Sequence, residues 1–225
     1  MWRLFKTILP ALALLAIAFQ PAAAAERALR ILAFGDSLTQ GYGLPPEADF
    51  PNQLERALKT RGLNVELINA GVSGETSAGG FARLDWTLSD AKNAPDAAIV
   101  EFGANDGLRG LSPADMEKNL DAILTKLKLR NIPVLLTGMK GPRNFGAAYA
   151  AEFDAVFPRL AKKHGVLFDP FFLEGVALDR TLLQADGLHP NTKGVDVIVK
   201  RIAPLAVQLV QQAQARRSAL RPSAP

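Results

Sequence analysis

Apolar residues fall along the chain in short runs separated by amphipathic stretches. Leu29 to Phe34 (LRILAF), Val65 to Asn69 (VELIN), Ala97 to Phe102 (AAIVEF), Val134 to Gly138 (VLLTG) and Val166 to Asp169 (VLFD) are such runs. They show little internal alternation, the pattern of strands buried on both faces. Helical spacing fills the gaps. Phe50, Leu54, Ala57 and Leu58 share one face, with Asp49 as N-cap, Pro51 in the first turn and Gly62 as the stop. Ser112-Pro113-Ala114-Asp115 opens a second helix carrying Met116, Leu120, Ile123, Leu124 and Leu127. Phe153, Val156, Phe157 and Leu160 mark a third, and Val195, Ile198, Val199, Ile202, Leu205 and Leu209 a fourth. Strand and helix alternate without an internal repeat or a linker. The pattern predicts a three-layer α/β/α domain, a parallel sheet wrapped by helices, over residues 26–210.

The ends depart from this pattern. Arg3 and Lys6 precede an apolar run from Ile8 to Ala18, and small residues follow from Pro21 to Ala25. This is the layout of a signal peptide over residues 1–25, with Ala-x-Ala cleavage sites, too short in its apolar part to span a bilayer. A retained N-terminal anchor is the alternative. Cleavage implies a periplasmic or secreted protein with no integral membrane segment. Residues 211–225 carry Arg216, Arg217 and Arg221 and lack a sustained apolar period, which predicts a frayed helix and a flexible basic tail.

Composition narrows the chemistry. The chain of 225 residues has no cysteine, which excludes disulfides, thiolate metal sites and a cysteine nucleophile. Its two histidines are His164 and His189, too few for a histidine-rich metal site. The formal charge of +4 hints at an acidic partner such as nucleic acid. Removing residues 1–25 takes away two cations and no acid, and three of the remaining arginines sit in the tail. That leaves little to support a nucleic-acid partner.

Ligands of open α/β sheets bind at the carboxyl ends of the strands. Gly35-Asp36-Ser37-Leu38 follows the first predicted strand, Ala70 to Thr76 the second, Gly103-Ala104-Asn105-Asp106 the third, Met139 to Gly146 the fourth, and Asp186-Gly187-Leu188-His189 lies beyond the fifth. Acyl transfer needs a nucleophile, a base, a group to orient the base, and oxyanion donors. Ser37, His189, Asp186, Asn105 and the Gly71 backbone N–H are candidates for these parts. Each also has an ordinary reading. Gly-Asp-Ser after a strand makes a helix cap, Asn-Asp-Gly a turn, and His189 a loop residue. Lys162-Lys163-His164-Gly165 reads as a solvated helix end. Ser73 is a rival nucleophile, but Gly71-Val72-Ser73-Gly74-Glu75 falls short of Gly-x-Ser-x-Gly, which occurs nowhere in the chain. Ser89 to Lys92 matches Ser-x-x-Lys without its Lys-Thr-Gly companion. Neither a Walker A loop nor Gly-x-Gly-x-x-Gly is present, so nucleotide binding has no support.

Joint occurrence is more telling. Gly-Asp-Ser-Leu at 35–38, Gly71, Gly-x-Asn-Asp at 103–106 and Asp-x-x-His at 186–189 stand in one order. In this the chain resembles the SGNH, or GDSL, hydrolases, and within them the periplasmic acyl-CoA thioesterase/lysophospholipase and arylesterase group. The resemblance runs from about Leu29 to Leu205. It implies a flavodoxin-like five-stranded sheet of order 2-1-3-4-5, with Ser37 as nucleophile, His189 as base and Asp186 orienting it. It implies an oxyanion hole of the Ser37 and Gly71 N–H groups and the Asn105 side chain. The loop 107–112 would close on the acyl chain through Leu108 and Leu111. The loop 139–146 would form the other wall, with Met139 and Phe145 apolar and Lys140 and Arg143 facing an anionic substrate portion. The implied enzyme is a monomeric serine esterase or thioesterase. It would act on small-molecule acyl esters such as aryl esters, acyl-CoA thioesters and lysophospholipids, with no metal and no cofactor. A carbohydrate acetyl esterase on the same machinery and a non-catalytic binding module are the competing readings.

Overall fold

In the computed structural model of the chain, residues 27–89 and 94–220 are described. The expected signal peptide, the end of the Ser89-x-x-Lys92 match and the last five residues lie outside them.

Five strands form one parallel sheet: β1 (Leu29–Gly35), β2 (Val65–Gly71), β3 (Ala97–Glu101), β4 (Val134–Thr137) and β5 (Leu167–Asp169). Their order is β2-β1-β3-β4-β5. Every residue of β3 and β4 is buried, whereas edge strand β2 buries only Val65. This explains the unalternating runs: a central strand has helices on both faces and no polar side. The sheet order reverses between β1 and β3, and the chain leaves β1 and β3 at the same end, opening a crevice there.

Helices α2 (Phe50–Lys59) and α7 (Thr192–Ala219) pack together on one side of the sheet. Helices α3 (Ser77–Ser89), α5 (Pro113–Leu129) and α6 (Ala147–His164) pack together as a second layer. The short helices α1 (Ser37–Gln40) and α4 (Ala104–Leu108) follow β1 and β3 directly. The caps read from the sequence form: Asp49 accepts from the Asn52 N–H, and Ser112 from the Asp115 N–H. Phe34, Phe50, Phe102, Phe153, Phe157 and Phe172 are fully buried in the core. Each such side chain contributes about 1.5–3 kcal/mol through burial.

Two sequence expectations are corrected. Residues 211–219 are not a flexible tail, because α7 continues to Ala219 and buries Ala213. Arg217 turns back to the start of the domain, donating to the Arg27 and Ala28 carbonyls and to Asp96 Oδ2. His164 does end a helix, but it is not solvated. Its side chain is 5% exposed, with Nε2 2.7 Å from Asp121 Oδ1.

Candidate active site

Short turns at the carboxyl ends of β1 and β3 place the first site residues. β1 ends in Gly35, Asp36 caps α1 by accepting from the Leu38 N–H, and Ser37 is the first residue of that helix. The ordinary reading of Gly-Asp-Ser as a helix cap is therefore true. It is also what presents Ser37: the cap turns the chain sharply, leaving the hydroxyl at the crevice.

Asp186 and His189 come from the loop before α7. That loop folds back on itself as an Asx turn, with Asp186 Oδ1 accepting from the Leu188 and His189 N–H groups. Asp186 Oδ2 is 2.7 Å from His189 Nδ1. An ionised carboxylate only accepts, so Nδ1 carries the proton and Nε2 is left as an acceptor. Nε2 lies 2.9 Å from Ser37 Oγ. Burial alone would raise the Asp186 carboxyl, but the Leu188 and His189 N–H groups and the His189 ring outweigh it and hold it at about 2. Tyr42 lies against the other side of the histidine, its ring centroid 4.8 Å from that of His189. Gln184 pins both loops, donating from Nε2 to the Tyr42 and Pro190 carbonyls and from its N–H to the His189 carbonyl.

Asn105 stands in the first turn of α4, its Nδ2 donating to Asp36 Oδ2 at 2.9 Å. One Nδ2 hydrogen remains for a ligand. The following residue, Asp106, is 2% exposed and accepts from the Ser77 N–H and hydroxyl. It therefore ties the Asn105 turn to the segment that follows β2.

That segment corrects the assignment of Gly71. Its N–H is already engaged, donating to Asn69 Oδ1 at 3.0 Å, and the residue does not line the crevice. A Cβ on Gly71 would stand 2.2 Å from the Gln40 nitrogen, so glycine serves there to let β2 approach α1. Gly74, three residues on, does line the crevice, beside Ser37 and Asn105. It has φ +77°, a left-handed conformation, and no hydrogen bond among the described residues uses its N–H. Arg109 fixes this turn by donating to the Gly74 carbonyl. Ser73, the rival nucleophile, also borders the crevice, but its hydroxyl bonds Gln40 Oε1 rather than a base.

The crevice is a cavity of about 450 Å³. Leu108 and Met139 line it as expected, with Lys140 at its edge. Leu111 and Phe145 do not. The 3₁₀ turn at Arg143–Phe145 swings the Phe145 ring onto Tyr149, at 5.4 Å between centroids, and against Gly110. Tyr149 donates to the Leu111 carbonyl, so it is engaged with the Leu111 end of the loop while Leu108 lines the cavity. Arg143 is likewise absent from the wall, and Lys140 faces Asp154 at 3.4 Å. Leu38, Tyr42, Phe171, Leu173 and Leu188 supply apolar wall that the sequence did not single out. Leu188 was legible through its place inside Asp-x-x-His; Phe171 and Leu173 lie in the irregular chain after β5, where no period marks them.

A serine hydroxyl, a histidine acceptor, a carboxylate behind it and unengaged N–H donors beside an apolar cavity together define a hydrolase of the serine type. The comparisons with known proteins give the family. Residues 33–197 match the GDSL-like Lipase/Acylhydrolase family. "Esterase TesA" of Pseudomonas aeruginosa is 36% identical over 174 residues, which is 77% of this chain and 86% of that protein. "Thioesterase 1/protease 1/lysophospholipase L1" of Escherichia coli K12 is 37% identical over 205 residues, covering 89% of this chain and 94% of that one. Among solved structures, AlinE4, an SGNH-hydrolase family esterase, superposes with a TM-score of 0.70 at 46% identity, covering 81% of this chain and 97% of its own. The chain belongs to the GDSL-like lipase/acylhydrolase family.

Proposed function

We propose that the protein is a serine ester hydrolase working through an acyl-serine intermediate. The observation that carries this is the continuous Asp186–His189–Ser37 arrangement, at 2.7 and 2.9 Å. Ser37 Oγ attacks the carbonyl carbon of an acyl ester or thioester while His189 Nε2 takes its proton. Asp186 keeps His189 in the required tautomer and stabilises the imidazolium that forms. Negative charge then develops on the carbonyl oxygen. The Ser37 and Gly74 N–H groups and Asn105 Nδ2 are the donors that meet it, each worth about 10²–10³ in rate. His189 passes its proton to the leaving alcohol or thiol. It then activates a water that releases the acid and restores Ser37.

The acyl chain is assigned to the cavity, whose wall includes Leu38, Leu108, Met139, Phe171 and Leu173. An apolar wall of this extent suits a chain longer than acetyl, and so favours lipid-like and aryl esters over acetylated carbohydrate. Acyl-CoA thioesters and lysophospholipids belong to the same substrate class, because the acyl half is what such a cavity holds. The enzyme acts as a monomer without cofactor. The signal-like residues 1–25 support export to the periplasm or medium, and no helix among the described residues is long and apolar enough to cross a membrane.

The test is a p-nitrophenyl ester series from acetate to decanoate, run on the wild type and on Ser37→Ala. Wild-type kcat/KM should rise beyond acetate, and Ser37→Ala should fall to background. Near-wild-type activity in Ser37→Ala would reject the mechanism. Activity confined to acetate would reject the acyl assignment alone.

A further inference from the structure

We propose that Glu101 is a positioning residue that sets the donor Asn105 and the Ser37 turn through Asp36. The inference rests on the site reading above. Glu101 is the last residue of β3, in register with Gly35 of β1 and Thr137 of β4. Its side chain lies directly beneath the nucleophile turn and is fully buried. Oε2 accepts from the Thr39 hydroxyl at 2.8 Å and from the Asp36 N–H at 3.4 Å. Oε1 has no hydrogen-bond partner among the described residues, and no cation among them is a cause of the Glu101 shift. The charge that acts on it is that of another acid, Asp36, itself fully buried.

Two buried carboxylates side by side repel strongly, so the pair keeps a proton. Burial first, and the Asp36 charge second, push Glu101 well above the usual carboxylate range. Burial raises Asp36 as well, to about 6. Glu101 is therefore the neutral member, a buried acid with one O–H to give and the Asp36 carboxylate beside it to receive it.

The consequence reaches the reacting centre through Asp36. Its Oδ1 accepts from the Leu38 N–H, and its Oδ2 from Asn105 Nδ2. Asp36 thus joins the helix that carries Ser37 to the side chain that meets the oxyanion. A neutral Glu101 steadies Asp36 from below; an ionised one, or an apolar side chain, would leave it free to shift. The close approach also accounts for Gly35, where a Cβ would stand 2.7 Å from Glu101 Oε2. Glu101 touches no substrate, so it acts only through Asp36, on the Ser37 turn and on Asn105.

The test compares Glu101→Gln and Glu101→Leu with the wild type. Measured are kcat per active site titrated with a fluorophosphonate, KM, and inhibition by an alkyl boronic acid, which mimics the tetrahedral state. Gln is neutral, with an oxygen for Thr39 and a hydrogen for Asp36, and should stay within about threefold of wild type. Leu keeps the volume and loses the polar contacts. Its kcat should fall by at least about tenfold with KM nearly unchanged, and the boronic acid should weaken in proportion. A wild-type kcat per titrated site in Glu101→Leu would overturn the proposal, even if less protein folds. So would a loss in Glu101→Gln as large as in Glu101→Leu. Should Glu101→Leu not fold, Thr39→Val takes its place. A several-fold drop in its kcat supports the proposal, and an unchanged kcat with unchanged boronic-acid affinity overturns it. Failure of the site reading itself is separate, since it appears as activity surviving in Ser37→Ala.

Discussion

His189 Nε2 lies 2.9 Å from Ser37 Oγ, although 152 positions separate the two residues in the chain. β1 delivers the serine and the loop before α7 delivers the histidine. Asp186 stabilises the tautomer that lets the histidine accept. Replacing Asp186 by Asn turns a pure acceptor into a group that can also donate, and favours the wrong tautomer. Asp186→Asn should lower kcat on p-nitrophenyl esters by on the order of 10⁴ while the fold survives. A loss of less than about tenfold would show that His189 is oriented by something else.

The two glycines after β2 should fail in different ways. A Cβ on Gly71 meets the Gln40 backbone at 2.2 Å, so Gly71→Ala should lower stability by about 1–3 kcal/mol through overpacking. On Gly74 a Cβ meets only Arg109 Nη2, at 3.8 Å, but φ is +77°. Gly74→Ala should therefore cost about 1–2 kcal/mol in backbone strain and lose kcat as its N–H turns away, whereas Gly71→Ala keeps the kcat of its folded fraction. Urea melts and steady-state kinetics on both variants check this. The reverse pattern would return the oxyanion role to Gly71.

The end of α7 should be structural. Arg217→Ala removes bonds to the Arg27 and Ala28 carbonyls and to the largely buried Asp96. It should cost about 1–3 kcal/mol in urea unfolding, with kcat of the folded enzyme unchanged. An unaltered midpoint would mean that the Arg217 bonds add nothing to the fold.

The buried carboxyl of Asp36 should leave a mark on stability against pH. Burial raises it from 3.8 to about 6. Between those values the folded protein holds a proton that the unfolded chain releases, so stability falls as pH rises through the window and levels off above it. Asp186 acts with the opposite sign and lower down: its stabilising contribution is lost only as pH falls towards about 2. Asp36→Asn removes the first effect. The Tm of Asp36→Asn minus that of wild type should therefore climb between about pH 4 and 6. A constant difference would mean that Asp36 is not raised.

The sheet was legible because its central strands are buried on both faces and read as apolar runs. The grouping of Ser37, Asp186 and His189 was legible through the joint order of Gly-Asp-Ser-Leu, Gly-x-Asn-Asp and Asp-x-x-His, because each of these alone also makes an ordinary turn or cap. Other features were hidden for physical reasons. α3 opens on Ser77-Ala78-Gly79-Gly80, whose two glycines are poor helix formers, and is held at its start by Asp106, a contact no local pattern carries. Gly71 and Gly74 look alike in sequence; what separates them is that the Asn69 side chain reaches one N–H and not the other. The last turns of α7 bury Ala213, a residue too small to mark a face. Phe145 was apolar and near the site, but a single 3₁₀ turn decides which way its ring points. Glu101 did carry a signal, as an acid inside the apolar run AAIVEF.

The central claim is that Ser37 is the nucleophile. The most direct measurement is reaction with a fluorophosphonate followed by digestion and mass spectrometry of the labelled peptide. A single adduct on Ser37, absent from Ser37→Ala and slowed in His189→Ala, is the expected result. An adduct on Ser73, or no adduct in an enzyme that still hydrolyses esters, would contradict it.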